Sequence, residues 1–487
     1  MASPLSDGDA LLAADQLGAV HFIGIGGAGM SGIARIMLAR GMVVSGSDAK
    51  DSVLLTALRA EGATIHVGHD PAYLQGASTV VANSAIRETN PELAAARERG
   101  MRVLHRSQAL AALALGHRVV AVGGTNGKTT TTSMLTVALQ HCGVDPSFSI
   151  GGELTESGTN AHHGSGDVFV LEADESDGSF VVYLPHIAVV TNVQPDHLDH
   201  YGDAAGVEQG FVDFANSIRA GGRLVACADD DGSARLAAVA AAQGIDVRTY
   251  GESPSADVRL DRLRMGPGGS TFEVVDRGRR VGGVSLRVPG RHNALNALAA
   301  VTAAGALGLA IPIVLEGLGA FGGTRRRFEA RGEAGGVRVF DDYAHNPGKV
   351  RAAIATGRQV AGSGRLVAVF QPHLFSRTRD FAEQFGQALA GADEVVVMDV
   401  YAAREDPLPG VSGALVADAV PLPAERVAFV ASWSAVADAV RARLRPGDLL
   451  LTIGAGDVTL LADEVLARLG PLTPSGPVSP SGPVRRA

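Results

Sequence analysis

Residues 121–134 read AVGGTNGKTTTTSM and combine glycines with one lysine and a run of threonines. A phosphate-binding loop has the pattern G-x-x-x-x-G-K-[ST], whose first glycine would stand at position 122 here. That position holds Val122, and the nearest glycine is Gly123, so the loop is one residue shorter than the pattern. An apolar strand precedes the loop and a helix follows it, which is the context of a phosphate cradle. The alternative is a glycine-rich turn capped by threonines.

The residue types in this loop suit a nucleoside triphosphate. Glycines let backbone N–H groups approach an anion at a helix N-terminus. Lys128 is placed to reach β- and γ-phosphates, and Thr129 is placed to bind Mg²⁺. The chain has only three lysines, at positions 50, 128 and 349, and otherwise uses arginine, so a lysine kept inside the loop is informative. The candidate ATP-loop residues are Gly123, Gly124, Thr125, Asn126, Gly127, Lys128 and Thr129.

An acidic and an imidazole side chain follow two further predicted strands. Glu172 is the first acid after the apolar run in LEADESD, and His197 lies in the segment VTNVQPDHLDHYG. Ligands of α/β sheets bind at the carboxyl ends of the strands, so both side chains are expected beside the phosphate loop. Carboxylate and imidazole groups can bind Mg²⁺ when phosphates supply the other ligands. The alternatives are a polar strand end for Glu172 and an ordinary surface or core histidine for His197.

A second glycine motif lies near the N-terminus. Gly24, Gly26 and Gly29 form G-x-G-x-x-G directly after a strand, and Asp48 ends the next strand. This pattern is typical of dinucleotide binding, with the pyrophosphate at the helix N-terminus and the acid at a ribose. Taken alone, it indicates NAD.

Composition limits the possible functions. Hydrophobic residues make up 46% of the chain, and its net charge is −9, which argues against a broad basic surface for nucleic acid. Cys142 and Cys227 are the only cysteines, which favours a reducing compartment. The N-terminal residues lack a secretion-signal pattern, and no apolar run is long enough to span a membrane. The sequence therefore predicts a cytoplasmic protein with neither a membrane nor a nucleic-acid partner.

Short apolar strands alternate with helical segments, which predicts an α/β fold with mostly parallel sheets. Three such series occur in the 487 residues. We predict an N-terminal Rossmann-like domain at 1–116, a central P-loop ATPase-like domain at 117–323 and a C-terminal Rossmann-like domain at 324–470. Residues 471–487 are rich in Pro, Ser and Gly and are predicted to be a disordered tail.

The loop GTNGKTT resembles the ATP loop of the Mur ligase family, and the likeness extends through all three predicted domains. The resemblance implies ATP as co-substrate and two magnesium ions held by Thr129, Glu172 and His197. Some family members use a carbamylated lysine in this region. Lys128 is the only lysine between positions 51 and 348, and its predicted role at the phosphates leaves no lysine for carbamylation.

Two other segments match the family. GRHNALNALAA fits the family pattern G-x-H-N-x-x-N-A and implies an adenine-side set for ATP, with helix capping as the alternative; its members are His292, Asn293 and Asn296. The run HFIGIGGAGMSGIARI resembles the branch that takes UDP-N-acetylmuramic acid, so the glycine loop would hold the diphosphate of a UDP-sugar rather than NAD. The implied UDP-sugar residues are Gly24, Gly26, Gly27, Gly29, Asp48, Ser84 and Arg106.

The last domain resembles the amino-acid end of the family. GGTRRRFE implies that Arg326 and Arg327 hold ATP phosphates, with a solvated basic turn as the alternative, and FDDYAHNP places Asp342 near the nucleotide. Tyr343 and His345 would line the incoming amino acid.

The segment FQPHLFSRTRDF contributes two candidate arginines for the amino acid, Arg377 and Arg379. A guanidinium binds a carboxylate through two parallel hydrogen bonds, and Arg377 is the first choice. Members of this branch commonly carry arginine directly after Q-P-H, where this chain has Leu374. One of two expected carboxylate clamps is therefore missing or is supplied by Arg379.

The resemblance implies a ligase that joins L-alanine to the lactyl carboxylate of UDP-N-acetylmuramic acid through an acyl phosphate. Lys128, His345 and Arg377 are the implied catalytic residues. Four rivals stay open: a ligase that attaches a recycled tripeptide to the same sugar, a folate or other polyglutamate-type synthase, a non-catalytic nucleotide-binding regulator, and an NAD-dependent dehydrogenase. The last of these leaves GTNGKTT, Glu172 and DDYAHNP without a role.

Overall fold

The computed structural model describes residues 12–266, 268–403 and 405–470, and these residues form three sheets flanked by helices. They divide into two compact units, one ending at Arg325 and one beginning at Arg326. The first unit contains two sheets and the second contains the third. The predicted α/β class, with one sheet in each predicted domain, is confirmed. The predicted boundaries stay predictions, and the predicted tail at 471–487 lies outside the described residues.

The first sheet is doubly wound, as a Rossmann-like fold requires. Its elements are a 3₁₀ helix (Ala14–Gln16), β1 (Val20–Ile23), α1 (Ala28–Ala39), β2 (Val44–Asp48), α2 (Val53–Ala60), β3 (Thr64–Val67), a 3₁₀ helix (Pro71–Leu74), β4 (Thr79–Ala82), α3 (Pro91–Glu98), β5 (Arg102–His105) and α4 (Arg106–Ala114). The strands are parallel in the order β3-β2-β1-β4-β5. The strand order reverses between β1 and β4, and such a switch point is where ligands bind.

The second sheet is larger and mixed. Its elements are β6 (Arg118–Gly123), α5 (Lys128–His141), β7 (Ser147–Ser149), β8 (Ala161–His162), β9 (Val168–Glu172), a 3₁₀ helix (Ser179–Tyr183), β10 (Ile187–Val190), α6 (Leu198–Tyr201), α7 (Ala204–Asn216), β11 (Arg223–Cys227), α8 (Asp231–Ala242), β12 (Asp246–Gly251), β13 (Val258–Gly266), β14 (Gly269–Asp276), β15 (Arg279–Leu286), α9 (Arg291–Ala306) and α10 (Ile311–Ala320). The order is β15-β14-β13-β12-β11-β10-β6-β9-β7-β8. Strands β13, β14 and β15 form an antiparallel meander at one end of this sheet.

The third sheet makes up the second unit together with its helices. Its elements are β16 (Glu329–Ala334), β17 (Val337–Asp342), α11 (Pro347–Ala361), β18 (Leu366–Phe370), α12 (Phe375–Leu389), β19 (Glu394–Met398), α13 (Ala414–Asp418), a 3₁₀ helix (Ala424–Arg426), β20 (Val427–Val430), α14 (Trp433–Arg441), β21 (Leu449–Ile453) and α15 (Thr459–Leu469). The order is β16-β17-β21-β18-β19-β20, and only the pairing of β16 with β17 is antiparallel.

Strands β10 and β18, which lie inside the second and third sheets, are apolar throughout. Every residue of β10 and of β18 is buried, which is the pattern of parallel strands inside α/β layers. Within the described ranges, no helix has both the length and the apolar composition that a bilayer crossing requires.

Candidate active site

The order of three strands explains why distant sequence motifs meet in the first unit. Strand β6 lies between β9 and β10 and runs parallel to both. Val122 is in register with Glu172, and Gly123 is in register with Val190. The segments that follow the three strands therefore leave the sheet at one edge. These segments carry the ATP loop, the acidic run and the predicted histidine.

The ATP loop is held by the segment after β10. Thr191 Oγ1 donates to Asn126 O at 2.5 Å, and Asn192 Oδ1 accepts from Asn126 N at 2.8 Å. Gly124 has φ 126°, and a Cβ there would lie 2.1 Å from Thr191 Oγ1, so the loop admits only glycine at that position. Gly127 caps α5 with φ 86°. The shortened loop is thus a defined structure that begins a helix, as expected of a phosphate cradle.

Lys128 meets a carboxylate that the sequence analysis did not single out. Its Nζ lies 2.6 Å from Glu175 Oε2 and donates to Glu175 Oε1 at 2.9 Å and to Gly124 O at 2.7 Å. Burial alone would lower the pKa of Lys128, but the charges of Glu175, Asp174 and Glu172 outweigh burial and raise the pKa. The lysine is therefore a cation at neutral pH.

Two of the three predicted magnesium ligands, Thr129 and Glu172, are in contact. Thr129 Oγ1 donates to Glu172 Oε1 at 3.1 Å, so a hydroxyl and a carboxylate lie side by side beneath the ATP loop. His197 Nε2 lies 3.9 Å from Glu175 Oε1, and its side chain is 22% exposed. These groups are ligands that Mg²⁺ accepts. The structure brings Lys128, Glu172 and His197 into one region, and the number of ions stays a prediction.

The acidic segment after β9 also reaches the first sheet. Asp174 Oδ2 accepts from Arg106 Nη2 at 2.7 Å, and Asp177 Oδ2 accepts from Ser84 Oγ at 2.6 Å and lies 3.3 Å from His105 Nε2. Burial raises the pKa of Asp177, but hydrogen bonds from His105, Ser179 and Ser84 outweigh burial and hold that pKa well below its usual range. Two predicted UDP-sugar residues, Ser84 and Arg106, thus contact the acidic segment that also carries the partner of Lys128.

The N-terminal glycine motif has the expected turn into a helix. Gly24 has φ 78°, and Gly27 is the N-cap residue of α1. Gly26 N donates to Asp48 Oδ2 at 2.9 Å. One carboxylate oxygen of Asp48, which is predicted to bind a ribose, therefore supports the glycine loop. A Cβ on Gly29 would lie 3.5 Å from Arg106 Nη1. The arginine therefore lies beside the first turn of α1, next to the loop where a diphosphate is predicted.

The start of α9 lies beside the ATP loop. A Cβ on Gly127 would lie only 2.6 Å from Asn296 Oδ1. Asn293 is buried, and its Nδ2 donates to Pro289 O at 2.7 Å, while His292 is exposed. The amide of Asn293 is therefore held by the residue that precedes the N-cap Gly290, and the adenine contact stays a prediction.

In the second unit, two predicted nucleotide residues are held by backbone groups. Arg326 Nη2 donates to Gly454 O at 2.7 Å and to Gly456 O at 3.0 Å. Asp342 accepts from Phe328 N and from Ala344 N, each at 2.8 Å. Burial raises the pKa of Asp342 to about 6. The ATP roles of Arg326 and Asp342 stay predictions.

Aromatic and basic side chains cluster where the amino acid is predicted. The guanidinium carbons of Arg326 and Arg327 lie 4.8 Å and 5.2 Å from the centroid of the Tyr343 ring. Tyr343 and His345 meet edge to face at 5.3 Å. Burial, with the charges of nearby Lys349 and Arg377, lowers the pKa of His345 well below its usual range. His345 Nδ1 lies 3.0 Å from Tyr343 O and must donate to that carbonyl, which leaves Nε2 with the free electron pair.

The two candidate carboxylate arginines differ in their surroundings. Arg377 is half-buried near the start of α12, whereas Arg379 is exposed and donates to Asp380 Oδ1 at 2.7 Å. Residues two apart on a helix point about 200° apart, so the two guanidiniums face different directions. Leu374 is buried at the N-cap position with φ 72°. Leu374 is apolar, so it does not supply the positive charge that an arginine would carry at this position.

Sequence reasoning missed Glu175, Asp174, Asp177 and His105. The signal for the three acids was present, because LEADESD places four carboxylates after one strand. Their partners were not visible, since each belongs to a different element.

Family models match the chain in three consecutive parts. They are described as the Mur ligase family catalytic domain over residues 19–118, the Mur ligase middle domain over 122–304 and the Mur ligase glutamate ligase domain over 326–456.

Three similar proteins carry the same activity in their names. The UDP-N-acetylmuramate–L-alanine ligase of Kineococcus radiotolerans is 60% identical over 455 residues, covering 93% of this chain and 96% of that protein. The protein of the same name from Saccharopolyspora erythraea is 58% identical over 456 residues, covering 92% and 93%. The crystal structure of the UDP-N-acetylmuramate-alanine ligase of Thermotoga maritima superposes with TM-score 0.79 at 29% identity, covering 92% and 98%. A murein peptide ligase from Psychrobacter arcticus, at 24% identity and TM-score 0.70, shares the fold. With three family models spanning most of its length and close curated relatives along nearly all of it, the chain belongs to the Mur ligase family.

Proposed function

We propose that the chain joins L-alanine to the lactyl carboxylate of UDP-N-acetylmuramic acid with consumption of ATP, a step of peptidoglycan precursor synthesis. The observation that carries this proposal is the identity of 58–60% to ligases of that name over more than nine-tenths of both chains. The grouping of Lys128, Glu172 and His197 at one sheet edge supports the ATP-dependent half of the reaction.

The first stage turns a poor acyl donor into a good one. An oxygen of the sugar carboxylate attacks the γ-phosphorus of ATP, an acyl phosphate forms and ADP leaves. Both reactants are anions, so the cationic Lys128 lowers the barrier by facing the charge that develops on the phosphoryl group. Magnesium held by Thr129, Glu172 and His197, with two ions proposed, would neutralise the same phosphates when bound.

The second stage forms the amide bond. The amine of L-alanine attacks the acyl carbonyl, phosphate leaves, and the nitrogen loses a proton. His345 is uncharged at neutral pH with Nε2 available to accept, so we propose it as the acceptor, directly or through water. The lowered pKa makes His345 a weak base. A weak base suffices because the N–H protons of the L-alanine amine become acidic as the C–N bond forms.

The decisive assay is phosphate release by the purified chain. With ATP, Mg²⁺, UDP-N-acetylmuramic acid and L-alanine together, we expect steady release, and omission of any one should return the rate to background. Glycine, L-serine and the recycled tripeptide replace L-alanine in parallel reactions. Release with the tripeptide alone would assign the chain to recycling. A change in absorbance with NADH and no phosphate release would favour the dehydrogenase.

The carboxylate clamp can be assigned with two arginine variants. Arg377→Ala should raise the KM for L-alanine at least tenfold, since a charge-assisted pair contributes about 1.5–3 kcal/mol. Arg379→Ala should have a smaller effect, because that guanidinium is exposed and already paired with Asp380. The KM for ATP, measured in the same reactions, controls for general damage. The reverse ranking would assign the clamp to Arg379.

A further inference from the structure

Glu175 is a buried carboxylate that the proposed reaction has not yet used. Its side chain is 2% exposed and lies between two residues predicted for phosphate and metal. Both of its oxygens face the ammonium of Lys128, at 2.6 Å and 2.9 Å, and Oε1 lies 3.9 Å from His197 Nε2. One carboxylate thus faces both groups from below the ATP loop.

The position of Glu175 does not depend on Lys128 alone. Tyr201 Oη donates to Glu175 O at 2.6 Å, and Gly178 N donates to the same oxygen at 3.0 Å. Its backbone is therefore anchored from α6 and from the turn that follows the acidic segment.

A structural role explains this arrangement poorly. A buried ion pair is weak evidence for stability, because removing two charges from water costs about as much as their attraction returns. A lysine side chain, by contrast, is flexible and has three N–H donors. Lys128 Nζ donates to Gly124 O, to Glu175 Oε1 and, at 3.4 Å, to Thr125 O, so the ammonium is held in one orientation at the ATP loop. Holding the ammonium in place before the nucleotide arrives reduces the entropy lost on binding.

We propose that Glu175 is a positioning residue of the ligase reaction, which holds the Lys128 ammonium in the ATP loop so that it meets the nucleotide already oriented. The effect on turnover rests on the proposed function, whereas the effect on nucleotide affinity does not.

The test is a double-mutant cycle read as ATP affinity. Glu175→Gln keeps the shape and removes the charge, and should weaken ATP binding about tenfold. In a Lys128→Ala background, the same change should alter ATP affinity by less than about twofold, because the group through which Glu175 acts is gone. The KM for UDP-N-acetylmuramic acid should stay unchanged while kcat falls. Asp167→Asn, an exposed carboxylate at the opposite end of β9, is the matched control.

Two results would overturn the proposal. Equal weakening in both backgrounds would indicate a structural effect, and tighter ATP binding by Glu175→Gln would show that the carboxylate competes with the phosphates. If Glu175→Gln does not fold, Glu175→Asp carries the same cycle, since it keeps the charge and shortens the reach. A wild-type chain that binds ATP but releases no phosphate would refute the proposed function. The double-mutant cycle could still be measured, because it compares ATP affinities.

Discussion

Lys128→Ala should lower kcat by roughly a thousandfold and leave the affinity for UDP-N-acetylmuramic acid within about twofold. The ammonium is the cation of the ATP loop, and its loss removes a charge that is needed most when the phosphoryl group is in transfer. The sugar nucleotide is predicted to bind at the glycine turn of the first sheet, which Lys128 does not support. Phosphate release gives kcat, and calorimetric titration gives the sugar affinity.

Folding must be separated from chemistry in this variant. Lys128→Ala leaves Glu175 buried without its cation, which costs about 3–5 kcal/mol of the free energy of unfolding. The double variant Lys128→Met with Glu175→Gln removes both charges, so it should recover stability and remain inactive. Arg118→Ala, at the opposite end of β6, should keep normal turnover. Normal turnover by Lys128→Ala would remove the ammonium from the mechanism, and a lost sugar site would contradict the domain assignment.

Glu172→Gln should raise the magnesium concentration required for half-maximal activity by about a hundredfold and lower kcat at saturating magnesium. The amide keeps the size of the side chain, and its oxygen can still accept from Thr129 or from Gly151 N, which donates to Glu172 Oε2 at 2.8 Å. Only the charge that attracts a dication is lost. The measurement is phosphate release titrated with Mg²⁺ at saturating ATP, sugar and L-alanine.

The control for this variant lies in the same region. Glu153 is a half-buried carboxylate paired with Arg325 at 2.9 Å, and Glu153→Gln should leave the magnesium dependence unchanged. An unaltered magnesium titration for Glu172→Gln would exclude this carboxylate from the metal site.

Local patterns predicted the catalytic elements because they depend on neighbours in sequence. The strand, glycine turn and helix around Lys128 follow from residue types within one short segment, and each lies where expected. Strand β9 ends at Glu172, the first acid after the apolar run. The acids beyond it leave the sheet, since carboxylates at the end of a buried strand gain more from water and cations than from the core.

The partners of those acids could not be predicted from the chain alone. LEADESD offers four carboxylates within six residues, from the last residue of β9 into the loop that follows, so nothing local distinguishes the one that faces Lys128.

Residue types and their spacing thus specified the α/β class, the ATP loop and the family. Only the tertiary structure shows which side chains are paired: Glu175 with Lys128, Asp174 with Arg106 and Asp177 with Ser84. The physical reason is that β6 inserts between β9 and β10, and that α4 and the end of β4 lie beside the same sheet edge. Strand order is a long-range property that depends on how the whole core packs. It determines which carboxylate of the acidic segment contacts which partner.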